Sequence, residues 1–154
     1  MEQKNICIEF DGVIHDYSKG WQGEDVFGQI IPNADTGTAT LKKNGWTIII
    51  FTTRKKTEKL EKWLEENNIS YDHINENPNQ PEHASGKIIA DVYLDDRGIC
   101  FRGRWDSWLM RDIIEFEPWQ EQQKREIEQL ATYGQTEDDI WSRGNEKRIK
   151  QAHV

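Results

Sequence analysis

The chain has 154 residues, of which 35% are hydrophobic and 31% charged, and its net charge is −8. This length suits one α/β domain with an appendage, and the acidic balance argues against an extended surface for binding a nucleic-acid backbone, which requires clustered lysine and arginine. The longest apolar run, residues 46–51, is far shorter than the roughly 20 residues of a membrane span, so we expect a cytoplasmic protein that does not bind membranes.

The first predicted element is a buried strand at residues 5–10, which ends at the turn signal Asp11-Gly12. Residues 14–33, here called the flap, are polar, aromatic and rich in glycine, as in a loop or short hairpin. Side chains at alternate flap positions share one face if the segment is extended. These side chains are His15, Tyr17, Lys19 and Trp21.

A helix–strand pair follows the flap. Residues 34–44 predict a weak helix that Gly45 ends in the usual C-terminal capping position. Residues 46–51 are β-branched and apolar, which predicts a strand covered on both faces, and this strand ends at Thr52-Thr53-Arg54.

The most regular helix is predicted at residues 56–67, where Leu60, Trp63 and Leu64 have i, i+3, i+4 spacing. Short strands and one loop complete the predicted sheet. They are a strand near 71–74, a loop at 75–85, a strand at 90–94 that delivers Asp95 and Asp96, and a further strand at 98–101. Both cysteines, Cys7 and Cys100, fall in strand-like runs, so we expect buried free thiols rather than a disulfide.

The character of the chain changes after Trp105. Residues 105–116 predict a packing helix, and residues 117–154 are mainly charged and polar. We predict a catalytic domain at 1–116 and a polar C-terminal extension at 117–154, helical over 120–130, through which a homo-oligomer is one possible assembly.

The alternation of strands and helices predicts an α/β fold, a three-layer, doubly wound, Rossmann-like parallel sheet. In such a sheet the carboxyl ends of the strands lie at one edge, which is where ligands bind. That edge would gather carboxylates, hydroxyls and cations from several segments. They are Glu9, Asp11, Thr52, Thr53, Arg54, Asp95 and Asp96, with Lys87 just before the last strand. This combination suits phosphoryl transfer with Mg²⁺, because carboxylate oxygens bind the metal while lysine and hydroxyl groups bind phosphate.

The order of these motifs resembles that of the haloacid dehalogenase superfamily of phosphohydrolases. Residues 9–13, Glu-Phe-Asp-Gly-Val, correspond to the family's Asp-x-Asp-Gly-Val/Thr signature, followed by Thr52, Lys87 and the pair Asp95-Asp96. The resemblance covers about residues 5–104. It implies that Glu9 occupies the nucleophile position and that Asp11 is the general acid/base. It also implies that Thr52 and Lys87 bind phosphate and that Mg²⁺ is held by Glu9, Asp11, Asp95 and Asp96, with the backbone carbonyl of Asp11 facing the metal.

The same resemblance predicts a member without a full cap domain, because the flap is too short for one. Such an open site takes phosphate from an exposed group, so the expected substrates are a nucleotide, a sugar phosphate or the phosphorylated end of a larger molecule. Thr53, Arg54, His15 and Lys19 are the predicted substrate contacts. Two structural alternatives stay open: Arg54 as the ion-pair partner of a nearby carboxylate, and flap aromatics that only pin the flap to the domain.

Glu9 departs from the family pattern, in which this position is aspartate. The additional methylene displaces the carboxylate, and a displacement of about 1 Å can cost about a hundredfold in rate. Three interpretations remain: an enzyme adapted to glutamate, a catalytically silent phosphate- or nucleotide-binding or regulatory domain, and a sequence altered to trap a bound state. Processing of nucleic-acid ends is a third functional class, which the acidic charge disfavours.

Overall fold

The computed structural model describes residues 3–84 and 86–132. The chain divides into two compact units, Met1–Gly103 and Arg104–Val154. This boundary precedes the helix that the sequence analysis assigned to the catalytic domain. The first unit contains β1 (Asn5–Glu9), α1 (Ala34–Lys43), β2 (Thr47–Phe51), α2 (Glu58–Glu66), β3 (His73–Ile74) and β4 (Val92–Leu94).

The strands form one four-stranded sheet in the order β3-β2-β1-β4, with every pair parallel. β1 is central, and its last residue, Glu9, is paired with Phe51 at the end of β2. On its other side Ile8 is paired with Leu94, the last residue of β4. The predicted parallel α/β sheet is therefore confirmed, and three of its strands end at the same edge.

The two faces of the sheet are covered differently. Side chains of even-numbered strand residues, such as Ile48 and Ile50, join the larger core together with Leu60 and Leu64 of α2. The opposite face carries a smaller cluster of Cys7, Ile49 and Ile88, with Phe51 and Ala90 packed against it. Ile88 and Ala90 belong to the irregular segment before β4 rather than to a helix. The predicted three-layer arrangement, with helices on both faces, is thus not seen within the described residues of this unit.

The helix ends have local causes. The side chain of Thr57 accepts a hydrogen bond from the backbone N–H of Leu60 and caps the start of α2. α1 ends at Asn44, and the following Gly45 has a φ of 81°, a left-handed conformation that glycine adopts without strain.

The second unit contains α3 (Ser107–Ile114) and α4 (Trp119–Thr132). Asp106 caps α3 by accepting a hydrogen bond from the N–H of Leu109. α3 was predicted to pack, yet none of its side chains is buried, and Ile114 is 81% exposed. The predicted helix over 120–130 lies within α4, while the rest of the predicted extension, residues 133–154, lies outside the described residues.

Two predictions near the end of the first unit are wrong. Residues 98–101 form no strand, and their apolar side chains, Ile99 and Phe101, are exposed rather than buried in the sheet. Cys100 is exposed as well, whereas Cys7 is buried as expected, and both thiols are free. Among the described residues, no helix has the length and apolar character needed to cross a membrane.

Candidate functional site

The carboxyl ends of β2, β1 and β4 bring three of the predicted motifs to one edge of the sheet. Glu9 ends β1, Thr52 directly follows β2, and Asp95 directly follows β4. The pairing of Glu9 with Phe51 and of Ile8 with Leu94 makes these positions neighbours across the sheet. A parallel sheet with its central strand between two motif-bearing strands is the arrangement in which ligands bind at strand ends.

Glu9 is partly buried and faces other carboxylates. Its Oε1 accepts a hydrogen bond of 3.3 Å from the backbone N–H of Asp11. Burial raises the pKa of Glu9 to about 7, and the negative charges of Asp11 and Asp95 raise it further. Hydrogen bonds from the backbone N–H groups of Asp11 and Phe10 lower this pKa and so limit the increase. The site around Glu9 is therefore rich in negative charge.

The acidic pair after β4 belongs to the same electrostatic environment. Asp95 is exposed, and its Oδ1 accepts a hydrogen bond of 2.7 Å from the N–H of Arg97. Burial raises the pKa of Asp96, as do the charges of Asp95 and Asp11, although Arg97 opposes the shift. Asp96 and Asp11 thus influence each other across the edge of the sheet.

Asp11 is held by three side chains. Arg54 donates from Nε to both carboxylate oxygens, at 2.9 and 3.1 Å, and from Nη2 to Oδ1 at 2.8 Å. His15 Nε2 lies 2.7 Å from Oδ1, and Thr52 Oγ1 donates to Oδ2 at 3.4 Å. Burial alone would raise the pKa of Asp11. The hydrogen bonds from His15 and Arg54, together with the charge of Arg54, outweigh burial and hold this pKa below its ordinary value.

The hydrogen bonds of His15 define its tautomer. The backbone N–H of Gly28 donates to Nδ1 at 3.0 Å, so Nδ1 carries no proton and the ring donates to Asp11 through Nε2. His15 is 2% exposed. Its ring is thus an internal connection between Asp11 and the flap rather than a group open to substrate.

Arg54 is equally enclosed. It is 3% exposed, and its Nη1 donates to the backbone carbonyls of Gly23 and Glu24 at 3.0 and 2.8 Å. Three aromatic rings surround the guanidinium, with centroids 4.6 to 5.8 Å from its central carbon. They belong to Trp21, Phe27 and Phe10. Of the two interpretations of Arg54 drawn from sequence, the geometry favours the ion-pair partner of a carboxylate.

Sequence reasoning overlooked Asn75, which supports the loop after β2. Its Oδ1 accepts a hydrogen bond from the N–H of Thr52, and its Nδ2 donates to the carbonyl of Arg54. Asn75 has a φ of 55°, a left-handed conformation that asparagine tolerates better than most residues. The sequence feature that could have identified Asn75 as a site residue is its place directly after a short predicted strand.

The other predicted phosphate and substrate contacts lie on the surface. Thr53 and Lys19 are exposed. Lys87 is also exposed, and its Nζ lies 4.2 Å from the ring centroid of Tyr93. Burial raises the pKa of the Cys7 thiol to about 11, while the charge of Lys87 opposes that increase. Lys87 therefore lies on the sheet face that carries Cys7 and Tyr93, and no ion pair joins it to a carboxylate within the described part of the chain.

A divalent cation at this edge would need a backbone oxygen besides the side-chain donors. Across residues 3–84 and 86–132, no three His, Cys, Asp or Glu side chains are grouped closely enough to hold a metal by themselves. The carboxylate oxygens of Asp11 accept hydrogen bonds from Arg54, His15 and Thr52, and the contact of this side chain with a metal stays a prediction. The remaining oxygen donors are Glu9, Asp95, Asp96 and the carbonyl of Asp11. Oxygen ligands carrying excess negative charge suit Mg²⁺.

A separate apolar cavity of about 380 Å³ was not predicted from sequence. It is lined by residues of β1, the two ends of the flap, α1 and the end of β4, among them Ile8, Ile14, Ile31, Leu41 and Leu94. None of the predicted site residues lines it.

Comparisons with known proteins show a likeness to a solved structure. No protein-family model and no curated protein matches the chain. A solved structure of a conserved protein from Bacteroides thetaiotaomicron matches with a TM-score of 0.51 and 22% sequence identity, covering 77% of this chain and 95% of that one. At this identity the likeness concerns the fold alone, so the α/β architecture is what this chain shares with its structural neighbour.

Proposed function

We propose that the chain is a capless, Mg²⁺-dependent phosphatase of the haloacid dehalogenase type, whose reaction is weakened by Glu9. The observation that carries the proposal is the meeting of Glu9, Thr52 and Asp95 at the carboxyl edge of three adjacent parallel strands. Side chains far apart in sequence converge there with the residue types that phosphoryl transfer needs. The HAD-like topology is part of the same proposal.

In this proposal Glu9 attacks phosphorus, and the bond from phosphorus to the leaving oxygen breaks as the new bond to a carboxylate oxygen forms. Asp11 donates a proton to that leaving oxygen in the first step, and the Asp11 carboxylate so formed takes a proton from the water that attacks phosphorus in the second step, which releases inorganic phosphate and Glu9. An ionised Asp11 suits this step, because its hydrogen bonds to Arg54 and His15 stabilise the charged form. Thr52 and Lys87 orient the phosphate.

Glu9, the Asp11 carbonyl and Asp95 or Asp96 would hold Mg²⁺, which would neutralise the charge of the phosphate oxygens. Burial is the main cause of the raised pKa values of Glu9 and Asp96, and nearby carboxylates add to both; a cation would offset that negative charge. The substrate is a phosphomonoester on an exposed group, such as a nucleotide, a sugar phosphate or a phosphorylated end.

The first prediction concerns Glu9→Asp. Shortening the side chain brings the carboxylate to the length found in the resembling family, so hydrolysis of 4-nitrophenyl phosphate with Mg²⁺ should rise by about a hundredfold. Steady-state rates with Mg²⁺ and with EDTA provide the measurement. Glu65→Asp is the matched control, because it shortens an exposed glutamate on α2 and should leave the rate unchanged. Absence of Mg²⁺-dependent hydrolysis in both wild type and Glu9→Asp contradicts the proposal.

A silent phosphate-binding or regulatory domain is the second candidate. It is favoured by the longer side chain of Glu9, whose carboxylate is bonded to the N–H of Asp11. Calorimetric titration of the protein with inorganic phosphate in the presence of Mg²⁺ distinguishes the two functions. Saturable binding of phosphate, combined with no turnover in either the wild type or Glu9→Asp, identifies a binding domain.

A further inference from the structure

The flap and the proposed acid/base residue are connected through two buried side chains. Arg54 donates to the carboxylate of Asp11 and, from the other side of its guanidinium, to the carbonyls of Gly23 and Glu24. His15 donates to Asp11 through Nε2 and accepts from the N–H of Gly28 through Nδ1. Each bridge has Asp11 at one end and flap backbone at the other.

The base of the flap is itself a short folded ladder. Asp16 N–H donates to the carbonyl of Gln29 at 2.7 Å, and Ile31 N–H donates to that of Ile14 at 2.8 Å. The middle of the flap has two backbone turns, from Gly20 N–H to the Tyr17 carbonyl at 2.8 Å and from Val26 N–H to the Gly23 carbonyl at 3.3 Å. Among the described residues, no backbone-to-backbone bond joins residues 17–28 to another segment, so side-chain contacts such as those from Arg54 hold the middle of the flap against the domain. A guanidinium suits this role because its planar fork bonds a carboxylate and two carbonyls at once, which an ammonium group does not reproduce.

We propose that Arg54 is a positioning residue that couples the closure of the flap to the orientation of Asp11, rather than a substrate contact. Trp21 and Phe27 of the flap lie against the guanidinium, at 4.6 and 5.3 Å, so the charge that orients Asp11 also holds the flap in place. His15 provides the second, uncharged connection. The part of the proposal that concerns catalysis depends on the proposed phosphatase function, whereas the coupling itself does not.

Hydrogen–deuterium exchange of the flap tests the coupling without any assay of activity. In Arg54→Gln, amide exchange across residues 17–28 should rise by about tenfold or more, since hydrogen bonds to a charged group are lost. Arg54→Lys should give a smaller rise, because the charge stays and the forked geometry is lost. Amides of α2 in the same protein serve as the internal reference and should not change.

A control variant separates this effect from general loosening of the flap. Asp25 also ties the flap to the domain, through Thr57 Oγ1 at 2.9 Å and Lys59 Nζ at 3.2 Å, but it makes no contact with Asp11. Asp25→Asn should therefore raise exchange of residues 17–28 much less than Arg54→Gln does. Unchanged exchange in both Arg54 variants, or an equal rise in Asp25→Asn, overturns the coupling. If far-UV circular dichroism shows that neither Arg54 variant folds, Asp11→Asn takes their place, because it weakens the bonds at the other end of the Arg54 bridge. Exchange of residues 17–28 that stays at the wild-type level in Asp11→Asn overturns the coupling.

Kinetics of the Glu9→Asp protein then test the catalytic part. Arg54→Lys in that background should lower kcat for 4-nitrophenyl phosphate while leaving KM nearly unchanged, since Asp11 acts in the chemical step. A raised KM with kcat unchanged identifies Arg54 as a substrate contact and overturns the positioning role. Absence of hydrolysis in every form removes the phosphatase function, whereas the exchange result still decides whether Arg54 couples the flap to Asp11.

Discussion

Asp11 shows how this chain stabilises a buried charge. Its side chain is only 13% exposed, and burial alone would favour the neutral acid. Arg54, His15 and Thr52 supply enough donors to keep it ionised. The same contacts place the carboxylate between the strand-end motifs and the flap. The residue proposed as the acid/base therefore also helps to hold the flap in place.

Gly28 in the flap is expected to tolerate no side chain. A Cβ at this position would lie 2.1 Å from the backbone carbonyl oxygen of Asp16, so Gly28→Ala must displace backbone and should destabilise the protein by about 1–3 kcal/mol. Gly37→Ala is the matched control, because a Cβ in this position of α1 meets nothing within 4 Å. That change should stabilise by about 0.5–1 kcal/mol. Urea unfolding measures both, and equal effects of the two substitutions would contradict the geometric argument.

Single residues were predictable where strand periodicity determines their place. Glu9, Thr52 and Asp95 were expected at one edge because parallel strands end together, and the sheet register brings their positions together. The bonding of Arg54 to Asp11 was only one of two alternatives, since sequence does not determine the direction of a long side chain. His15 was assigned to substrate for the same reason.

Elements with their own sequence signals agree best with expectation. α2 has both an apolar stripe and a capping threonine, and its observed range, Glu58–Glu66, lies inside the predicted one. The strand predicted at 98–101 had apolar character only. A strand also requires a partner, and apolar composition does not supply one. Sequence also did not show which segment covers the second face of the sheet. The segment before β4 has no helical periodicity, so nothing in it indicates that Ile88 and Ala90 pack on that face.

Thr57 allows the cap of α2 to be tested. Its hydroxyl oxygen accepts from the N–H of Leu60 at 3.1 Å and its hydroxyl donates to Asp25 at 2.9 Å. Thr57→Ala removes both bonds and should lower the free energy of unfolding by about 1 kcal/mol. Thr57→Ser keeps the hydroxyl and should lie close to wild type in a thermal-unfolding experiment followed by circular dichroism. A Ser variant as unstable as the Ala variant would show that the methyl group, rather than the cap, is responsible.

The first unit as a whole has an asymmetric core. α1 and α2 contribute to the cluster on one face of the sheet, while on the other face Ile88 and Ala90 of an irregular segment cover Cys7 and Ile49. Right-handed crossovers explain the first arrangement, because β1, β2 and β3 succeed one another in the same direction across the sheet. The connection to β4 returns past β1, and its loop-like sequence gives that face a covering of irregular backbone.

This asymmetry predicts different costs for two adjacent core substitutions. Ile49 and Ile50 are both 0% exposed, and their side chains point to opposite faces of β2. Replacing isoleucine by alanine in a core costs about 2–5 kcal/mol, with larger values where the surroundings cannot collapse into the cavity. Ile50→Ala, beneath helices, should therefore cost more than Ile49→Ala, beneath the loop that carries Ile88. Urea unfolding of the two variants measures this difference, and an equal or reversed order would indicate that the loop-covered face is packed as rigidly as the helical one.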